Sequence, residues 1–375
     1  MYVNVYRFVR IFQARRWQTG QMEADGEKRG LFMTINDIAK IAGVSVATVS
    51  RVMNKKGYVR EETRKKVEAI IRDHGYHPNA VARSLISSHS SLIAVIMAER
   101  PFSFSSKVLE TIESWAGEQG DSVLFYGTGA EQERELRAFS QAFEHQVKGI
   151  LLLPVMESGE AAVNMIREAE AREIPVVLLD WDLYGEDFDR VVVDNKQVLY
   201  DGTRLLLEEG HRKIGVITCR EVAKEGSRRR DGYLQCMKDH QIPLKDSYIY
   251  DGDFDEESGY DACRTFFALP DPPTAVLACC SSATLGCFHY FKEQNMELGK
   301  DVGLVGFDDI SLVESMGYPV TTLDRLSREM GRNACSLLYQ SMRNGADHKK
   351  IVLATRTIRR GSEHMGRCFS LETKG

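Results

Sequence analysis

The amino-acid sequence predicts a small all-α head followed by a large α/β body of two lobes built on parallel sheets. Three observations predict it. Residues 34–74 carry apolar positions at helical spacing, interrupted by one Gly-containing turn. From Ser91 onward, continuous apolar runs of strand length alternate with amphipathic stretches, as expected of parallel strands covered on both faces. The chain has 375 residues, too many for one small core, and the body alone is too long for a single sheet.

Residues 1–33 hold aromatics and arginines but no apolar core followed by a small-residue cleavage site, so no secretory signal is expected. Gln18 to Gly30 is polar and glycine-containing and is expected to be disordered. Two readings stand for this segment. One is a translation start placed too early, with Met33 the natural first residue; the abrupt onset of periodicity after Met33 favours it. The other is a basic arm touching DNA or membrane.

In the head, Thr34 precedes Ile35, Ile38, Ala39 and Ala42, one face of a helix with a good N-cap. Gly43 supplies the left-handed exit, Val44 plugs the turn and Ser45 caps a second helix. Val49, Val52 and Met53 form that helix's apolar stripe. A third helix starts near Glu61 with Glu61 and Glu62 in its first turn, runs through Val67, Ile70 and Ile71, and ends by Gly75. This is a helix-turn-helix. A plain three-helix bundle would share the core, but the other side of helix two carries Val46, Ala47, Ser50 and Arg51. Small residues there let a helix sit deep in a major groove. Arg51 can reach a guanine edge, and Val46 or Ala47 a thymine methyl. Lys55, Lys56, Arg64 and Lys65 are placed for phosphates.

Charge supports this division. Residues 1–33 carry +3 and residues 34–91 carry +5, leaving −13 on the remainder of a chain of net charge −5. A basic end on an acidic body points the small end at a polyanion.

The run from Thr34 to Asn54, with Tyr58-Val59, Glu62-Thr63-Arg64 and Gly75-Tyr76, resembles the DNA-binding head of the LacI/GalR family of bacterial transcription regulators. His77 to Leu85 resembles that family's hinge helix, and the likeness extends over nearly all of 34–362. The resemblance implies DNA contacts from Thr34, Ser45, Val46, Ala47, Thr48, Ser50, Arg51, Asn54, Thr63, Tyr76, Asn79, Ala82, Arg83 and Leu85. It gives base reading to Val46, Ala47 and Arg51, and a minor-groove wedge to Leu85. One departure stands in the head: Arg60 replaces the usual Ser and cannot accept the N-cap hydrogen bond of helix three. The hinge is about eight residues, too short to be a stable lone helix, so it is expected to fold only on DNA. Two wedges bending one duplex require a dimer on an inverted repeat.

Strands are expected at Leu92–Met97, Val123–Tyr126, Ile150–Leu153, Val176–Leu179, Val191–Val193, Ile214–Thr218, Tyr248–Tyr250, Val276–Ala278 and Val302–Phe307. Helices are expected at Glu131–Gln146, Ala161–Arg172 and Arg228–Gln241. The resemblance implies a body like periplasmic sugar-binding proteins, crossed three times between lobes. The expected division is 34–77 for the head, 78–91 for hinge and linker, and 92–362 for the body, with a tail at 363–375. Within the body, lobe one takes about 92–193 and 324–351, and lobe two about 194–323 and 352–362.

The resemblance also implies effector contacts in the interlobe cleft from Phe102, Phe104, Asp194, Arg229, Phe254 and Ser281. Gly306-Phe307-Asp308-Asp309-Ile310 matches a family motif, whose aspartates suit either a capped turn or a ligand contact. Where the family commonly reads Ala-Asn-Asp, this chain has Cys279, Cys280 and Ser281. A carboxylate is lost there, and Arg100 stands in the loop before Phe102. The effector is therefore expected to be other than a plain neutral sugar: an acidic or phosphorylated metabolite, with a vestigial cleft as the alternative.

Enzyme classes find no support. There is no Walker loop, no G-x-S-x-G and no H-E-x-x-H, and Gly127-Thr128-Gly129 lacks the next glycine of a dinucleotide fingerprint. No catalytic residue, metal or cofactor is assigned. Eight cysteines show no C-x-x-C spacing and read as buried thiols. The expectation is a cytoplasmic repressor-type regulator, nucleoid-associated on DNA, acting as a homodimer under a sugar, sugar phosphate or other metabolite. A cytosolic small-molecule binding protein and a regulator controlled by a protein partner are the alternatives.

Overall fold

The computed structural model describes residues 33–53, 57–74, 90–98, 103–155, 159–183, 187–219, 224–310, 317–345 and 347–365. The hinge, residues 1–32 and 366–375, and Asn54, Tyr76, Asn79, Ala82, Arg83, Leu85, Arg100 and Phe102 lie outside these residues. The chain divides into two compact units, residues 1–86 and 87–375.

The head packs α1 (Ile35–Ala42), α2 (Val46–Met53) and α3 (Glu61–Asp73) around Ile38, Ala39, Ala42, Val49, Val52 and Val67. Thr34 and Asp37 form a reciprocal capping box, and the Thr34 hydrogen bonds hold the Asp37 carboxyl below its ordinary value. Gly43 is left-handed at φ 67°, and the Val44 N–H donates to the Ala39 carbonyl at 3.0 Å to close the turn. The Thr48 N–H donates to Ser45 Oγ at 3.2 Å. Arg60 occupies the N-cap of α3 without a side-chain hydrogen bond, as its chemistry requires.

The body holds two six-stranded sheets. The first contains β1 (Leu92–Met97), β2 (Ser122–Gly127), β3 (Ile150–Leu153), β4 (Val176–Asp180), β5 (Arg190–Val193) and β11 (Lys350–Leu353), in the order β11-β5-β4-β3-β1-β2. The second contains β6 (Ile214–Cys219), β7 (Ile249–Gly252), β8 (Ala275–Ala278), β9 (Gly303–Phe307), β10 (Thr321–Asp324) and β12 (Arg356–Ile358), in the order β12-β10-β9-β8-β6-β7. Every pairing is parallel except β10 with β12.

Helices cover both faces of each sheet, which is why the strands are continuously apolar. In lobe one, α4 (Ser103–Glu118) and α11 (Ser327–Asn344) pack on one face and α5 (Gln132–Glu144) and α6 (Gly159–Ala171) on the other. In lobe two, α7 (Asn195–Glu208) and α8 (Lys224–Asp239) oppose α9 (Glu256–Phe267) and α10 (Ser281–Glu293). The chain crosses between lobes three times: after β5, after β10 and after β11.

Three boundaries differ from the sequence expectation. Val352 and Leu353 pair with Val192 and Val193 in the first sheet, and Asp324 belongs to β10 in the second. Glu363 is no tail residue: it is 1% exposed and accepts hydrogen bonds from Arg359, the Gly361 N–H and the Thr321 hydroxyl. Burial alone would raise its pKa, but these donors outweigh burial and lower it. The six cysteines whose side chains are described, Cys236, Cys263, Cys279, Cys280, Cys287 and Cys335, are buried free thiols.

The α9–α10 contact depends on glycine. A Cβ on Gly286 would lie 2.0 Å from the Glu256 carbonyl oxygen, and backbone cannot yield as a flexible side chain can. Gly286→Ala is therefore expected to destabilise the body by about 1–3 kcal/mol through overpacking. Urea unfolding at unchanged m-value checks this.

Candidate nucleic-acid interface and ligand cleft

In the head, α2 turns Val49 and Val52 inward, so its other side is left to solvent. Val46 is 39% exposed, Ala47 and Arg51 are exposed, and Thr48 and Ser50 are half-buried. The Arg51 stem passes the Gly57 turn, where a Cβ added at Gly57 would sit 3.6 Å from its Cδ. Thr34 and Ser45 are exposed at the starts of α1 and α2, and Thr63 is half-buried in the first turn of α3. Helix starts present partial positive charge, suited to phosphate. Exposed Arg60, Lys65 and Lys66 add full charges along the start of α3.

In the body, a cavity of about 420 Å³ lies between the lobes. Lobe one contributes Ala98, Gly129, Ala130, Pro154 and Trp181; lobe two contributes Arg229, Asp253, Phe254, Asp255, Cys280, Ser281 and Ser282; Arg325 comes from the second crossover. These residues sit at the carboxyl ends of strands, where open parallel sheets offer binding sites. Trp181 and Phe254 meet edge to face across the lobes, with centroids 5.8 Å apart.

Arg229 is buried. Its Nε donates to Asn195 Oδ1 at 2.8 Å and its Nη1 to the Cys279 carbonyl at 2.7 Å. Its guanidinium stacks on Phe307 at 4.4 Å and lies 5.6 Å from the Phe254 centroid. Cys280 caps α10, its sulfur accepting from the Ala283 N–H at 3.3 Å, and its thiol is pushed well above the ordinary range, foremost by the hydrogen bond with Cys279 and by burial. It is a neutral thiol wall.

Of the residues expected at the effector, Arg229, Phe254 and Ser281 line the cavity. Phe104 does not: it is buried in the lobe-one core, with the Arg325 guanidinium 3.6 Å above its ring. Asp194 does not either. It caps α7, accepting from the Lys196 and Gln197 N–H groups at 3.1 and 3.2 Å, and lies 3.5 Å from Arg228 beside a separate cavity of about 80 Å³. A strand-end aspartate followed by a helix serves that helix first.

The two aspartates of the 306–310 motif both take cations. Asp308 receives Arg325 Nε at 2.8 Å and Nη2 at 2.9 Å. Asp309 receives Arg360 Nη2 at 2.7 Å and lies 3.4 Å from Lys107 Nζ. Burial would raise the Asp309 carboxyl, but these two cations lower it.

Residues 34–79 match the family model described as bacterial regulatory proteins, lacI family, and residues 203–363 match a periplasmic binding protein-like domain. The HTH-type transcriptional repressor PurR of Klebsiella pneumoniae (strain 342) is 31% identical over 320 residues, covering 85% of this chain and 93% of that protein. PurR of Escherichia coli O139:H28 is 31% identical over 331 residues, covering 88% and 96%. The chain belongs to the lacI family of bacterial regulatory proteins. The crystal structure of the lac repressor dimer bound to operator and the anti-inducer ONPF superposes with a TM-score of 0.77 at 25% identity, covering 88% of this chain and 99% of that one. The complex of the regulator CelR with cellobiose gives 0.64 at 26%, with the same coverage.

Sequence reasoning missed several residues of this lacI-family regulator. Tyr58, quoted above only as part of the head motif and given no contact there, is 89% exposed and follows the left-handed Gly57. Trp181 and Arg325 were missed in the cleft. Trp181 follows the apolar run of β4 and reads as core, and Arg325 follows a strand that carries two threonines. No helix among the described residues is long and apolar enough to cross a membrane.

Proposed function

We propose that this chain is a repressor that binds an inverted-repeat operator as a homodimer and responds to a small molecule in the interlobe cleft. The observation that carries the reading is the exposed face of α2, with Val46, Ala47 and Arg51 presented outward from the apolar core of a basic three-helix head, and Ser50 half-buried beside them. Val46, Ala47 and Arg51 read bases. Thr34, Ser45, Thr48, Ser50 and Thr63, with Asn54 and Tyr76, position the head on the backbone. Asn79, Ala82, Arg83 and Leu85 act as the minor-groove hinge. Selection of bound sequences from random DNA by the purified protein tests this: a symmetric motif is expected, and recovery of unrelated sequences would defeat the reading.

For the effector, the charges of the cleft modify the sequence expectation. Among the described lining residues, Arg229 is the one cation not matched by a carboxylate, and Asp253 and Asp255 also line the site. A doubly charged phosphate ester would meet only this one unmatched cation among the described residues, which disfavours it. The Trp181–Phe254 pair favours a flat ring, and Ser281, Ser282 and Arg229 suit one acceptor-bearing edge. The effector is thus a small ring compound, neutral or singly anionic. Thermal-shift screening checks it. A ligand at a hundredfold excess over its Kd adds about 2.7 kcal/mol of stability; a sugar phosphate outperforming every ring compound would overturn the assignment.

A further inference from the structure

Asp180 ends β4 of lobe one, and Asp308 directly follows β9 of lobe two. Both hold positive φ, 60° and 59°, an unfavourable backbone for an aspartate that places a carboxylate at the end of each strand. The guanidinium of Arg325 lies between them. It makes a two-pronged contact with Asp308 at 2.8 and 2.9 Å, and its Nη1 donates to Asp180 Oδ2. Its flat face rests on Phe104 from lobe one at 3.6 Å, with Phe307 from lobe two at 5.1 Å. Arg325 is 4% exposed, and both carboxylates are buried. Two carboxylates and two aromatic rings drawn from two lobes are the groups a cleft would use to bind a free guanidinium compound. Here the guanidinium arrives on the chain's own crossover.

A second tie repeats the arrangement. Lys107 of α4 in lobe one donates to the Asp309 carbonyl at 2.8 Å and lies 3.4 Å from its carboxylate in lobe two. Adjacent aspartates therefore receive Arg325 from the crossover at Asp308 and Lys107 from the opposite lobe at Asp309, which also holds Arg360.

We propose that Arg325 is a tethered ligand that occupies a guanidinium-binding site made by Asp180 and Asp308, and thereby sets the specificity of the cleft. Carboxylates are the acceptors that grip hydroxyl-rich ligands. With both strand-end carboxylates engaged, effectors must use the Arg229 side of the cavity. The same bridge holds the lobes together without requiring an effector to span them. The proposal rests on reading the cleft as an effector site, but its test uses neither effector nor DNA, so its failure would leave that reading standing.

The test is chemical rescue in the full chain. Arg325→Ala opens the site, and ethylguanidinium at millimolar concentration is the probe, with ethylammonium at equal ionic strength as control. Amide exchange is followed at the three crossovers, residues 193–195, 324–327 and 353–356, with β1 and β6 as fold controls. Crossover exchange in the variant is expected to be at least about tenfold faster than in the wild type. Ethylguanidinium should slow it saturably and raise the melting temperature, with no effect on the wild type. Equal crossover exchange in both proteins, or equal action of the two cations, would overturn the proposal. If β1 and β6 also lose protection, Asp180→Asn decides, since it keeps the fork to Asp308. Faster crossover exchange with protected strands supports the tethered ligand, and unchanged crossovers refute it.

Discussion

Replacing Arg325 by methionine is expected to destabilise the body by about 3–5 kcal/mol, because it strands two buried carboxylates without their cation. The magnitude follows from burial. Asp180 and Asp308 are almost fully buried, and Asp180 Oδ1 has no hydrogen-bond partner among the described residues. The site therefore already carries one negative charge more than its cation neutralises. Changing Arg325 to methionine together with Asp180→Asn and Asp308→Asn should recover most of the loss, since neutral groups of similar shape remove the charge imbalance. Urea unfolding of the single and triple variants measures this. A single variant within 1 kcal/mol of wild type would mean that water reaches these carboxylates and that the crossover is not a buried bridge.

Arg51→Ala is expected to weaken operator binding by about 1–3 kcal/mol and to relax preference at one position of each half-site. The guanidinium is exposed and its stem is carried past Gly57, so the loss falls on DNA and not on folding. Lys65→Ala should instead lower affinity evenly across sequences and reduce the salt dependence, as a phosphate contact does. Leu85→Ala should reduce specific binding far more than non-specific binding. Anisotropy titrations over a range of salt distinguish the three patterns. Equal losses on specific and random DNA for Arg51→Ala would remove it from the base-reading set.

The helix-turn-helix was legible residue by residue, because capping and periodicity are local. Thr34, Gly43 and Ser45 each act within four residues of themselves. The parallel strands were legible as apolar runs because helices bury both of their faces. The strands that escaped notice lack that signal. β10 has two threonines and an aspartate, yet is buried, its polar groups answered by Ser362, Glu363 and Arg356. β11 sits at a sheet edge and is half-exposed. In the cleft, Arg229, Phe254 and Ser281 were found through family motifs. Arg325 was not, because its meaning depends on Asp180, 145 residues away. Asp194 and Phe104, expected from the same motifs, do not line the cavity, because a motif gives position in the chain and says nothing of where a side chain is engaged.

The central claim is sequence-specific recognition of a two-fold DNA site by the basic head. Competition binding of the full-length protein, between an enriched inverted repeat and the same DNA with one half-site scrambled, tests it most directly. The account expects a preference of about 10³-fold or more at physiological salt. Equal affinity for the two DNAs would contradict it.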